Sequence, residues 1–310
     1  MGLESVFTPD ALIAVFAITL RIAPTVLYAS LGEVISERAG VVNLGLEGIM
    51  LLSAFTAFYF SYITGDPLTG LGMALLVGVA MGLLHAMLTV VLTLNQVVVG
   101  LSIWLFGFGF SDVLYRVLFR GVPSPTVKTL PELQIPVLSD LPVIGQVLFR
   151  HNVLVYIGFL LVPAVWLFLY RTRLGLLIRA AGENPKVVKA AGHSVPLIRT
   201  IAVLMGAVLA SVSGAYFTTA FLRSYVTNIT FGRGFIALAM VYFGNWSPVR
   251  LLVPLLIFNY VDSLQLMMQA ADVGIRYYFL NMLPFIVLIA MMPVFGRNVK
   301  PPSALMKPFR

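Results

Sequence analysis

The sequence predicts an all-α, polytopic membrane helix bundle of about eight to ten transmembrane helices, some broken or kinked. Three observations carry this reading. Of 310 residues, 60% are hydrophobic and only 10% charged, with a mean hydropathy of +0.98, which is more apolar surface than one water-soluble core can hide. Apolar runs long enough to cross a bilayer recur along the chain, far too long and continuous for barrel strands, so their backbone groups must be satisfied within helices. The basic residues gather in short segments beside these runs, so the net charge of +8 reports membrane orientation and no nucleic-acid partner is expected.

The runs fall at about 11–31, 41–63, 71–94, 97–119, 153–170, 200–220, 250–271 and 277–295, with a shorter one at 234–243. The opening MGLESVFTPD is acidic and lacks the basic start of a cleavable leader, so the first run is read as a retained span. Pro24, Pro163, Pro254 and Pro284 lie inside runs and are expected to kink or break those helices. Small residues at four-residue spacing, Gly78 with Gly82 and Gly206 with Ala210 and Gly214, predict close backbone approach between helices.

Orientation follows from the longest basic stretch, RTRLGLLIRAAGENPKVVKAAGHSVPLIR at 171–199, which the positive-inside rule places in the cytosol. Alternating outward, the 296–310 tail with Arg297, Lys300, Lys307 and Arg310 is also inside, as are turns at 31–40 and 246–250. The acidic N-terminus and the proline-rich 120–152 loop are expected outside. A weak inverted repeat is visible in GLEGIMLLSAF (45–55) and GRGFIALAMVYF (232–243), each followed by a glycine-and-proline turn and two long helices.

The chain has no cysteine, which excludes disulfides, thiolate metal sites and cysteine nucleophiles. It carries no phosphate-binding G-x-x-x-x-G-K-[ST] loop, no dinucleotide fingerprint and no nucleophile elbow. His85, His151 and His193 show no metal-ligand spacing. No cofactor, metal or catalytic residue is expected. The polar residues inside the runs are the remaining candidates. Asn43 and Glu47 sit one helical turn apart, and Glu47 reads either as a buried carboxylate bonded to a neighbouring helix or as a pathway residue. Asn259 and Asp262 share a face, with Gln265 and Asn281 nearby in sequence or in the next run; they line a conduit or hold helices together. Trp104, Phe106, Phe108 and Phe110 either pack or offer faces to a flat ligand. Arg21 and Asp112 would neutralise each other if they meet.

LGEVISERAGVVNLGLEGIMLLSAF (31–55), LLIRAAGENPKVVKAAGHSV (176–195) and RGFIALAMVYFGNWSP (233–248) resemble segments of permease subunits in bacterial ABC importers for nucleosides and simple sugars. These are more distantly similar to branched-chain amino acid permeases. The likeness spans nearly the whole chain and is greatest to the shorter, second permease of nucleoside uptake systems. It implies a single permease domain over 1–310 in the bacterial inner membrane, forming half of a nucleoside pathway. It also implies a second permease subunit, a cytosolic ATPase on a separate chain and an extracytoplasmic binding lipoprotein. A simple-sugar permease and an ion-coupled secondary transporter are the alternatives.

The second segment is similar to the loop by which such permeases engage their ATPase, which assigns that contact to Gly182, Glu183, Asn184, Pro185, Lys186, Val187, Lys189, Ala190, Ala191 and Gly192. Local chemistry agrees: Asn184 can cap a short helix that Pro185 starts and Gly192 ends, over 185–191. Val187, Val188, Ala190 and Ala191 would give it an apolar surface. The pathway is assigned to Asn43, Glu47, Trp104, Phe106, Phe108, Asn259 and Asp262.

Overall fold

The computed structural model describes residues 8–309 except Ile135, Val137 and Asp140. Residues 1–7 of the opening expected outside the membrane, and Arg310, lie beyond the described residues. Every apolar run named above is helical over most of its length. Helix α1 (Pro9–Ile22) starts at Thr8, whose side chain accepts a hydrogen bond from the Ala11 N–H, and bends by 41° into α2 (Pro24–Arg38). Pro24 is the first residue of α2, where a missing N–H costs nothing, but its ring clashes with the carbonyl four residues back and so breaks the preceding helix. The expected turn at 31–40 is instead the last two turns of α2, and the chain turns only between Ala39 and Gly45. That stretch reads as a solvated turn because it holds Glu33 and Glu37, yet both are buried. Each has a distant partner: Glu33 accepts from the Asn43 N–H at 2.8 Å and Glu37 from the Trp246 indole at 2.5 Å.

Helix α3 (Leu46–Thr64) ends at Gly65, whose φ of 72° favours glycine. Asp66 then accepts from the N–H groups of Leu68 and Thr69 to cap α4 (Pro67–Ala86), which runs on as a π-helical turn at Met87–Val91. Asn95 caps α5 (Gln96–Leu118). The 120–152 loop departs from an all-helical reading: β1 (Glu132–Gln134) pairs antiparallel with β2 (Arg150–Asn152), Leu133 opposite His151, around the single-turn α6 (Ile144–Leu148). Helix α7 (Val153–Arg171) contains Pro163 and is followed by α8 (Arg173–Glu183), α9 (Pro185–Ala190) and α10 (Val195–Tyr216) with its π-helical extension Phe217–Phe221. The short α11 (Arg233–Phe243) precedes α12 (Leu252–Ala270) and α13 (Tyr277–Phe295).

Among the described residues six helices are long and apolar enough to cross a membrane, or seven with the bent α1–α2 pair counted as one span. The expected eight to ten are therefore not found. Helix α12 is long enough, but Asn259, Asp262, Gln265 and Gln269 lower its hydropathy, and α11 is too short at 11 residues.

Helix α10 sits at the centre against α2, α3 and α4. Glycine permits the approaches to α2 and α4, and the neighbouring contact of α5 with α3. A Cβ on Gly32 would lie 2.6 Å from the Gly206 carbonyl oxygen, one on Gly82 would lie 2.8 Å from the Ala207 Cβ, and one on Gly107 would overlap the Gly48 backbone. One end of the bundle gathers the turn after α2, helices α8 and α9, the 244–251 turn and the C-terminal tail. Arg199 ties these together, donating to the carbonyls of Ala39 at 3.0 Å and Lys307 at 2.9 Å, while the Ala304 N–H donates to the Gly182 carbonyl. The 120–152 loop covers the opposite end, where Arg21 pairs with Glu132 at 3.1 Å. Asp112 pairs with Arg116 at 2.9 Å, so the conjectured Arg21–Asp112 pair does not form.

Gly107→Ala is expected to destabilise the α3–α5 contact by about 1–3 kcal/mol, as overpacking does in a close-packed interior. Gly109→Ala, with open space around the new methyl, leaves the thermal unfolding midpoint in detergent unchanged. Equal midpoints for the two variants would contradict the packing described.

Candidate functional site

Helix α11 begins inside the protein, where water cannot satisfy its first N–H groups. Glu47, in the first turn of α3, supplies the acceptors: one carboxylate oxygen takes the Thr230 hydroxyl at 2.5 Å and the Gly232 N–H at 2.8 Å, the other the Gly234 N–H at 2.7 Å. Its negative charge also faces the positive end of the helix dipole. Gly234 has to be glycine, because a Cβ would lie 2.5 Å from the Glu47 N. The similar segments 45–55 and 232–243 thus start at one shared point.

The capped helix presents Arg233 to a cavity of about 390 Å³ bounded by the α10 extension, α11, α12 and α13. Arg233 donates to Asp262 at 2.6 Å and lies over the Phe217 ring, 5.3 Å from its centroid. Further along the wall the amides of Gln265 and Gln269 each donate to the side-chain oxygen of Asn281 at 2.8 Å. Phe221, Phe231, Phe258, Tyr277 and Phe285 supply the apolar lining. This cavity sets aromatic faces, primary amides and one ion pair around one volume, the mix of apolar walls and a few placed polar groups found in small-molecule sites.

Of the residues assigned to the pathway, only Asp262 lines this cavity. Glu47 lies behind it and its oxygens are engaged by α11. Asn43 is buried, its side-chain oxygen accepting from the Gly45 N–H at 3.0 Å. Asn259 is fully buried and neither amide atom has a partner among the described residues. Trp104 meets Phe235 edge-on at 5.4 Å, whereas Phe106 and Phe108 point outward from α5 and are exposed, Phe106 stacking on Phe110. Arg233, Gln269 and Phe217 escaped the sequence reading. An arginine directly after a glycine at the head of a short apolar run was the available signal for the first.

Helix α9 lies at the basic end. Pro185 starts it as expected, but the Asn184 side chain makes no capping bond, and the helix stops at Ala190, one residue short of the expected end. Gly192, with φ 80°, closes the turn by donating to the Lys189 carbonyl. Lys186, Val187, Lys189, Ala190 and Ala191 are exposed, as are Glu183 and Asn184, while Gly182 is buried and Pro185 half-buried. Val188 faces inward and is buried, so it is not part of the outer apolar surface. Lys189 reaches over the Phe309 ring.

Residues 15–292 match the family described as branched-chain amino acid transport system / permease component. The chain belongs to this permease family. It is 38% identical over 261 residues to TsgC13 of Haloferax volcanii, assigned as a glucose ABC transporter permease protein, covering 83% of this chain and 78% of that one. NupC of Lactococcus lactis subsp. cremoris, a nucleoside ABC transporter permease protein, is 31% identical over 286 residues, 89% of this permease and 90% of its own length. NupQ of Bacillus subtilis, a guanosine ABC transporter permease protein, is 30% identical over 303 residues, 92% and 93% of the two chains. No solved structure matches the chain. The permease is therefore a membrane transport subunit.

Glu47→Gln turns an amide NH₂ toward N–H donors and is expected to destabilise the permease by about 2 kcal/mol, the scale of a lost charge-assisted bond. Thermal unfolding in detergent reads this as a lowered midpoint. An unchanged midpoint would mean that α11 holds its place without the cap.

Proposed function

We propose that this permease forms half of an ATP-driven import pathway for nucleosides, paired with a second permease and energised by an ATPase on a separate chain. In this reading the basic end faces the cytosol, as the positive-inside rule requires, and α9 seats in a groove of the ATPase. Glu183, Asn184 and the exposed Lys186, Val187, Lys189, Ala190 and Ala191 would form the contact, with Gly182, Pro185 and Gly192 setting its shape. A six-residue helix is marginal alone in water and gains most from a docking partner. The substrate would reach the cavity from an extracytoplasmic binding protein on the side of the 120–152 loop, and the membrane would be the bacterial inner membrane.

One observation carries the nucleoside assignment: the cavity beside α11 sets aromatic rings and a cluster of primary amides around one small volume. A base stacks on the rings and offers edge donors and acceptors to amides, while the ribose hydroxyls can bond to the Arg233–Asp262 pair. The names of NupC and NupQ point the same way. A simple sugar is the second reading, favoured by the name of TsgC13, and would use the same polar groups with less call for the rings. ATP closure would switch the helices between outward and inward access by favouring one arrangement of α9 and its ATPase groove.

Vesicles containing the assembled transporter test this with labelled guanosine and labelled glucose. ATP-dependent guanosine uptake that excess glucose does not compete away is expected. Replacing Gln265 and Asn281 together by leucine is expected to slow that uptake roughly tenfold, the worth of about one net hydrogen bond, with complex assembly intact. Uptake by this chain alone, driven by a proton or sodium gradient and indifferent to ATP, would contradict the proposal.

A further inference from the structure

A second cavity, of about 900 Å³, opens at the basic end between the end of α2, the last turns of α7, the 244–251 turn and the C-terminal tail. Its polar wall is cationic. Arg38 is fixed there by donating to the Trp246 carbonyl at 2.9 Å and to the Tyr170 hydroxyl at 3.3 Å. Arg179 flanks it, its guanidinium 4.7 Å from the Tyr170 ring centroid. Arg250 and Lys300 stand exposed in the lining, and no ion pair engages either among the described residues. Glu183 is the one carboxylate in the lining; one of its oxygens accepts from the Ser303 N–H at 3.2 Å and hydroxyl at 3.0 Å, and its charge also acts on Arg38, so Arg38, Arg250 and Lys300 stand against a single acidic group.

The other wall is apolar and aromatic. Trp166 and Tyr170 lie in the last two turns of α7, with ring centroids 5.7 Å apart, where a spanning helix meets the headgroup region. Beside them Leu160 and Leu167 are 69% and 51% exposed, two turns apart on one face, and continue an apolar surface along the helix. A cavity that is cationic on one side, aromatic on the other and continuous with a greasy helix face suits an amphipathic anion. We propose that it binds the headgroup of an anionic phospholipid: the phosphate reaches Arg250, Lys300 and the fixed Arg38, and an acyl chain lies along α7. Each cation near a membrane surface adds appreciably to anionic-lipid affinity. The site does not depend on which solute the permease carries.

The test is native mass spectrometry of the intact transporter, released from detergent containing equal amounts of phosphatidylglycerol and phosphatidylcholine. Phosphatidylglycerol is expected to be retained, and the double variant Arg250→Gln, Lys300→Gln is expected to lose roughly tenfold or more of that retention. The pair Arg171→Gln, Arg173→Gln, at the same end but outside the cavity, is expected to keep it. Unfolding of the double variant in phosphatidylcholine alone, with an unchanged midpoint, shows that it is folded. Equal retention of the two lipids, or full retention by the double variant, would overturn the proposal. Displacement of the lipid by millimolar inorganic phosphate would overturn it in favour of a soluble-anion site. Loss of the ATPase from the double variant with lipid binding unchanged would overturn it in favour of a protein contact.

Discussion

The carboxylate of Glu47, accepting three hydrogen bonds where two helices begin, is the constraint on which the rest of the structure depends. A helix that starts inside an apolar protein leaves N–H groups that lipid cannot satisfy, each costing several kcal/mol. Glu47 removes that cost for α11 and at the same time fixes α11 against α3. Its own burial is tolerable for the same reason, since a carboxylate is expensive in such a setting only when unpaired. Gly48 then lets α5 close over the junction, and Trp104 rests on Phe235 one turn into α11. The position of Arg233, and with it the cavity beside α11, follows from this one polar knot.

The basic end is organised by a different device, hydrogen bonds from arginines to backbone carbonyls. Arg199 and Arg38 reach the turn after α2, the tail and the 244–251 turn, and the Met306 N–H donates to the Gly40 carbonyl. Helices α8 and α9 are therefore tied to the lower end of α2 through groups that share no flexible linker. In the proposed mechanism a displacement of α9 reaches α2 through α8, and α2 packs on the central α10 through Gly32 and Gly206. Close glycine contacts favour discrete arrangements over continuous deformation, which is what a two-state transporter needs.

Much of this was legible in the residues. The eight long apolar runs and the short one at 234–243 are mostly helical, the first split into α1 and α2, and Pro185 and Gly192 bracket a short helix because a missing N–H and a positive φ act locally. What the residues concealed depends on partners far away in sequence. Glu33 and Glu37 look like a solvated turn until Asn43 and Trp246 arrive to bond them. The cavity beside α11 draws Phe217, Arg233, Gln269 and Asn281 from four segments, and no periodicity links them. Glu47 stood out as an intramembrane carboxylate, but whether it faced a solute or a helix end required knowing where α11 begins. Phe106 and Phe108 lie exposed on α5, away from the cavity beside α11, and aromatic clustering on a membrane helix marks lipid or partner contact as readily as a binding face.

The chain's lack of cysteine makes one measurement decisive for the proposed coupling role of α9. A single Val187→Cys substitution places the only thiol on its exposed face. In the assembled transporter that thiol is expected to cross-link to the ATPase in a manner that changes with ATP, and to resist a membrane-impermeant reagent added outside intact cells. Labelling from outside, or no cross-link to any companion subunit, would contradict the account.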